Sequence, residues 1–138
     1  MRHTVPMIIV VEHEPTINKL ICEILTDEGY IAIACLSGDE ALPLIDTGLP
    51  DLVIMDLLLD GVQTGLSVLQ QLRTQPYTKD IPVIMCSCAT GRLHVLREEL
   101  QALDCAIVEK PFDMSDFLAE VEVALSAEYL SPLAHPRM

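Results

Sequence analysis

Four apolar runs in this sequence lead into residues that can do chemistry. "IIVVEHEP" runs from Ile8 into Glu12, His13 and Glu14, and "DLVIMD" ends on Asp56. "PVIMCSC" ends on Ser87 and Cys88, and "AIVEKP" delivers Lys110 ahead of Pro111. An Asp after an apolar strand is often only a loop-opening residue, but its occurrence together with Ser87 and the Lys110–Pro111 pair is far more specific. A carboxylate oxygen can attack a phosphoryl group where a divalent cation and an ammonium neutralise the accumulating charge. Ser87 can then donate to a phosphoryl oxygen, and the new charge on a rim of loops is a natural trigger for rearrangement.

These residues need elements that carry them to one place. Short β-branched or aliphatic runs alternate along the chain with longer stretches of helical apolar spacing. The runs are Met7 to Val11, Tyr30 to Cys35, Leu52 to Met55, Pro82 to Ser87 and Ala106 to Val108. All are nearly continuous in apolar character, as strands covered on both faces are. Between the first two, Pro15 suits the first helical turn, Ile17, Leu20, Ile21, Ile24 and Leu25 form a stripe, and Gly29 supplies a left-handed stop. A second helix opens on the capping box of Ser37 and Glu40 and carries Pro43, which predicts a short or kinked segment. Leu66, Leu69 and Leu72 mark a third helix, Leu93, Leu96, Leu100 and Leu103 a fourth, and Phe117, Leu118, Val121 and Leu125 a fifth. Strict alternation of this kind requires right-handed crossovers, hence an α/β fold with a doubly wound parallel sheet. Function in such a sheet gathers outside the carboxyl ends of the strands, where the four chemical runs end.

Bulk properties narrow the field. A chain of 138 residues, half of them apolar and none Trp, predicts one domain with an aliphatic core. Its 21 acidic residues against 8 Lys plus Arg give a formal charge of −13, which repels nucleic-acid backbones and anionic lipid. Most of the five cysteines fall in apolar segments, "CSC" included, so core packing is favoured over disulfides, redox chemistry or metal binding. The N-terminus holds too short an apolar run for a leader or a membrane span, and a cytoplasmic location is expected. His3, His94 and His135 are expected to face solvent or serve structure.

Over residues 7–126 the chain resembles the receiver domain of two-component response regulators, with "VVEHEP", "DLVIMDLLLDG", "IPVIMCS" and "EKPFD" at the family's motif positions. The resemblance implies a flavodoxin-like sheet in the order 2-1-3-4-5, an order that general accounts of doubly wound folds illustrate with a member of this family. It implies Asp56 as phospho-acceptor, Ser87 as the hydroxyl that follows the phosphoryl group, and Lys110 as charge partner before a cis proline. For a metal it implies Glu12, Asp56 and the carbonyl of Leu58, with His13 where the family has a second acid. Magnesium is hard and binds imidazole poorly, so a weakened magnesium site is expected. A longer reach by Glu12, help from Glu14 or Asp60, and exchange for manganese or another softer ion stand as alternatives, as does a site that works with no metal.

Further departures accompany His13. The loop "DLLLDGVQTG" looks one residue longer than the family's spacing, with Asp60 where proline is common, and Cys88 replaces a very small residue. Ile107 stands at the switch aromatic's position, and Leu58 cannot orient a hydrolytic water.

The expected function is phosphoryl transfer from a histidine kinase or phosphotransfer protein to Asp56, with output by protein contact. The alternative is a phosphorylation-independent interaction module with the same fold. An aspartate-nucleophile phosphatase is disfavoured because Leu58 stands where the second acid belongs, and a nucleotide-binding protein because no glycine-rich turn follows the first run. No enzyme activity, nucleic-acid contact or membrane contact is expected. The fourth helix with the fifth strand and helix forms the family's usual partner face, which also offers a homodimer contact, with "REEL" on its wet side. Residues 1–126 are read as the receiver and 127–138 as a helix end or flexible tail, or a truncated linker to an output domain.

Overall fold

The computed structural model of the chain describes residues 4–59, 61–87 and 90–130. Its strands are β1 (Met7–Val11), β2 (Ile31–Cys35), β3 (Leu52–Asp56), β4 (Val83–Ser87) and β5 (Cys105–Glu109). Its helices are α1 (Pro15–Asp27), α2 (Gly38–Gly48), α3 (Gly65–Leu72), α4 (Thr90–Ala102) and α5 (Met114–Leu130). All strand pairings are parallel and the order is β2-β1-β3-β4-β5, the flavodoxin-like topology.

Alternation along the strands divides the core. Ile8, Val10, Ile54 and Ile84 face α1 and α5 through Ile21, Leu25, Phe117, Val121 and Leu125. Ile9, Val11, Val53, Met55 and Met85 face the other way, against Ile45, Leu69, Leu72 and Leu100. Each fully buried aliphatic side chain contributes about 1.5–3 kcal/mol relative to exposure, so β1 and β3, covered on both faces, anchor the sheet. The edge strand β2 is less covered than its sequence implies, with Ile31 and Ala34 exposed.

Three sequence expectations shift in detail. On α1 the buried face is Asn18, Ile21 and Leu25, while Ile17 and Leu20 are exposed, because the sheet takes a narrower stripe than the apolar residues mark out. Helix α2 runs unshortened through Pro43 for 11 residues. Pro43 is exposed, so the acceptor one turn back that loses its donor lies on the solvent side. Its start is capped as the sequence indicates, with Glu40 N–H donating to Ser37 Oγ at 3.2 Å. Finally, Leu103 lies just beyond α4, in the turn where Asp104 adopts φ +56°.

That turn is held by Arg73. Its guanidinium donates to the carbonyls of Leu103 at 2.8 Å, Ile81 at 2.7 Å, Lys79 at 3.1 Å and Asp104 at 3.3 Å. One side chain thus satisfies carbonyls in the loops that lead into β4 and β5.

Candidate functional site

The register brings the strand ends level: Val11 lies beside Met55, Asp56 beside Cys86, and Ser87 beside Glu109. The residues that follow therefore emerge together at one rim. Glu12 leaves β1 with its N–H donating to Cys35 O at 3.0 Å. The buried Asn18 amide of α1 fixes the same corner by donating to the carbonyls of Val10 at 3.0 Å, Glu12 at 3.1 Å and Cys35 at 3.1 Å.

The rim is organised around one ammonium. Lys110 Nζ lies 2.7 Å from Glu12 Oε1 and 3.0 Å from Asp56 Oδ2. The other oxygens are also engaged: Asp56 Oδ1 accepts the Leu58 N–H at 2.9 Å and Glu12 Oε2 the Glu14 N–H at 3.0 Å. Lys110 is placed by its own N–H, which donates to Ser87 O at 3.0 Å, and the peptide to Pro111 is cis. Ser87 is buried at the end of β4. Two carboxylates so deeply buried would be untenable without this partner.

The charges settle accordingly. Burial pushes the Asp56 carboxyl up, but the Leu58 N–H and the Lys110 ammonium together hold it below the usual carboxylate range. Burial pulls Lys110 down, and Glu12 and Asp56 outweigh it, leaving the ammonium above its ordinary value. Asp56 therefore contributes stability that is present above its unfolded pKa, about 3.9, and is lost as pH falls through the depressed folded value. Lys110 contributes stability that is present below about 10.4 and is lost as pH rises through its raised value. Asp56→Asn is expected to flatten the acid limb. Urea midpoints followed from about pH 5 down to about pH 2 should fall less steeply for the variant than for wild type; parallel curves would contradict the assignment.

His13 sits at the mouth, its side chain 34 % exposed, with Nδ1 3.6 Å from Glu12 Oε2. That nitrogen is buried and has no hydrogen-bond partner. Among the described residues no three His, Cys, Asp or Glu side chains converge to hold a metal ion. The convergent carboxylate oxygens belong to Glu12 and Asp56, both already engaged by Lys110, and among the described residues the His13 imidazole stands beside Glu12. Magnesium demands octahedral oxygen ligands, so this donor set does not fit a tightly held magnesium.

Around this centre, Glu14 is exposed and donates its N–H to Glu12, and the Leu58 side chain is exposed. Ile107 is half-buried on β5 and His94 is exposed. The Cys86 and Cys105 thiols, pushed up to about 12 by burial, are packing residues without nucleophilic character at neutral pH. His3, Asp60, Cys88, His135 and residues 131–138 of the expected tail lie outside the described residues. Sequence reasoning missed Asn18, whose signal was an amide within the helix's apolar face. It also missed Gly65, whose N–H donates to Leu57 O at 3.1 Å and whose Cα position lies against the backbone of Asp56 and Leu57.

A buried carboxylate at the end of β3, paired with a lysine from the end of β5 in a 2-1-3-4-5 sheet, defines a receiver-like α/β protein. The family model described as "response regulator receiver domain" matches residues 8–122. The chain belongs to that family. Among curated relatives it is 34 % identical over 120 residues to the phosphate regulon transcriptional regulatory protein PhoB of Rhizobium meliloti, covering 87 % of this chain and 52 % of PhoB. It is 32 % identical over 123 residues to the DNA-binding dual master transcriptional regulator RpaA of a Synechocystis strain, covering 87 % and 49 %. The chain thus spans about half the length of these relatives. Among solved structures, NtrX of Brucella abortus superposes with a TM-score of 0.84 at 28 % identity, over 98 % of this chain and 30 % of that one. The signal receiver domain of a histidine kinase from Syntrophus aciditrophicus gives 0.80 at 28 % identity, over 89 % and 92 %. No helix among the described residues is long and apolar enough to cross a membrane.

Proposed function

We propose that the chain accepts a phosphoryl group on Asp56 from a phosphohistidine of a histidine kinase or phosphotransfer protein, and signals by contact with a further protein. The observation that carries this reading is the single ammonium held between Asp56 and Glu12, with a backbone N–H on the second Asp56 oxygen. In the step, an Asp56 carboxylate oxygen forms a bond to phosphorus and the bond from phosphorus to the donor imidazole nitrogen breaks. The electron pair leaves with the imidazole and a proton neutralises it. Lys110 offsets charge on the phosphoryl oxygens, and the Ser87 hydroxyl is the candidate donor to one of them.

Glu12, Asp56 and the Leu58 carbonyl are the groups that would hold a divalent cation, and we assign them only weak magnesium affinity because His13 replaces an acid. His13→Asp is expected to raise magnesium affinity, read by titration calorimetry, on the order of tenfold, since affinity follows ligand charge. An unchanged affinity would remove His13 from the account.

The test of the reading is intact mass after incubation with acetyl phosphate, with magnesium, with manganese and with neither. About 80 Da is added to wild type and not to Asp56→Asn, as a covalent carboxylate nucleophile requires. No adduct under any condition overturns the proposal and leaves a phosphorylation-independent module. Because Leu58 offers no polar group to a water, the adduct is expected to be long-lived, and Leu58→Asn to shorten its half-life on the order of tenfold. An equal half-life would count against that role. Two relatives are named as transcriptional regulators, but a charge of −13 disfavours direct DNA contact by this domain. Output is assigned to protein contacts, with self-association through α4, β5 and α5 as one form.

A further inference from the structure

The flank of the domain formed by β2 and α2 combines three features. Strand β2 is an edge strand that pairs only with β1. Ile31 N–H donates to Pro6 O and Cys35 O accepts from Glu12 N–H, each at 3.0 Å, so these two residues turn their backbone groups toward β1. Alternation then turns the N–H and C=O of Ala32 and Ala34 outward along the open edge. Natural edge strands are blunted by lysine, proline, inward charges or bulges, whereas "IAIAC" has no charge or proline and pairs with β1 in unbroken register.

Beside this edge lies an open cleft of about 620 Å³. Ala34, Leu36, Pro43 and Leu44 give it apolar walls, and Asp39 and Glu40 stand on its rim. Charge is also polarised: no Lys, Arg or His occurs between Lys19 and Arg73, while Glu23, Asp27, Glu28, Asp39, Glu40 and Asp46 all fall there. Every cation that could repel a basic partner lies elsewhere in the sequence.

We propose that the β2 edge and its cleft dock an extended segment of a partner protein, which pairs with the outward groups of Ala32 and Ala34 and carries Lys or Arg among apolar side chains. Backbone pairing supplies affinity and the cleft selects side chains, the logic of strand addition. The acidic rim selects the basic residues and speeds encounter. The surface is also tied to the carboxylate pocket. Asp39 Oδ1 accepts Gln63 N–H at 3.1 Å, and Gly61 packs against the Asp39 carboxylate, so the loop that leaves Asp56 rests on the start of α2. The docking itself stands whether or not Asp56 is phosphorylated.

The test uses a fluorescein-labelled hexapeptide alternating valine and lysine, one version N-methylated at alternate amides and one with glutamate for lysine. Binding is read by anisotropy and mapped by amide chemical shifts of the ¹⁵N-labelled full chain. The unmodified peptide is expected to shift amides within residues 31–47, and N-methylation to weaken binding about tenfold or more, with no binding of the glutamate version at about 1 mM. Ala34→Lys, at an exposed strand position, should weaken binding by a similar factor while the amide spectrum stays dispersed. Glu40→Gln, on the exposed rim, should weaken it less and provides a second variant should Ala34→Lys perturb the strand. Equal binding of the N-methylated peptide would reduce the interaction to charge alone and overturn the proposal. So would shifts centred on α1 or on α4 and α5, or no binding at about 1 mM.

Discussion

Lys110→Met is expected to slow phosphoryl acceptance at Asp56 by about a hundredfold or more, the usual consequence of removing a principal electrostatic donor from a reacting centre. The same substitution should destabilise the fold at neutral pH. Glu12 and Asp56 are almost fully buried, and Lys110 is the cation paired with both, itself only 13 % exposed. Removing one partner of a buried pair costs about 3–5 kcal/mol, and the slight exposure of Lys110 places the expected loss near the lower figure. The deficit has a pH signature. Without the ammonium the two carboxylates repel, one becomes easier to protonate, and the penalty should shrink as pH is lowered toward about 5. Urea midpoints for wild type and variant at neutral and mildly acid pH measure this, and intact-mass labelling measures the rate. A penalty that does not change with pH would mean that lost packing, and not charge, explains it.

The strand ends were legible because their chemistry is local to the sequence. Apolar runs ending on Glu12, Asp56, Ser87 and Lys110 can be read without knowing how they pair, and the parallel order then forces them to one rim. What was not legible depends on geometry across elements. The stripe on α1 contains more apolar residues than the sheet can cover, so Ile17 and Leu20 emerge exposed and Asn18 takes a buried place. Its amide reaches carbonyls of Val10, Glu12 and Cys35, an arrangement that appears only once β1 and β2 lie side by side. Arg73 escaped notice for the same reason, since its acceptors come from two loops distant in sequence. Pro43 does not end α2: an exposed proline costs a helix one internal bond but need not stop it.

His13 illustrates how a departure from a motif acquires physical content. In sequence it is only an imidazole where the resemblance implies an acid. In the structure its Nδ1 is buried, faces Glu12 Oε2 at 3.6 Å and makes no hydrogen bond, while Lys110 already serves both carboxylates. The pocket is thus compensated by one protein cation at the base and leaves a nitrogen at the mouth. This arrangement explains why the fold tolerates its paired acids, and it moves the question of phosphoryl transfer onto Lys110 and the backbone N–H of Leu58.

Gly65→Ala should couple a modest loss of stability to a larger loss of phosphoryl acceptance. Gly65 opens α3 and donates its N–H to Leu57 O at 3.1 Å, while Thr64 caps the same turn by accepting from Ser67 N–H at 3.1 Å. A Cβ at position 65 would overlap the carbonyl oxygen of Asp56 and press on Leu57 Cα at 2.8 Å, which are backbone atoms with no rotamer to yield. Either α3 backs away or the Asp56–Leu57 peptide turns. Overpacking of this kind costs about 1–3 kcal/mol. The functional effect is larger because the Leu58 N–H must remain 2.9 Å from Asp56 Oδ1 to hold the carboxylate in line, and a displacement of about 1 Å at a reacting centre can cost a hundredfold. Gly38→Ala is the informative control. Its Cβ would meet Gln63 O at 2.7 Å, further along the same loop, so it should cost comparable stability with a smaller effect on labelling. Equal labelling losses in the two variants would mean that the loop transmits strain as one body, and that contact with Asp56 itself carries no special weight.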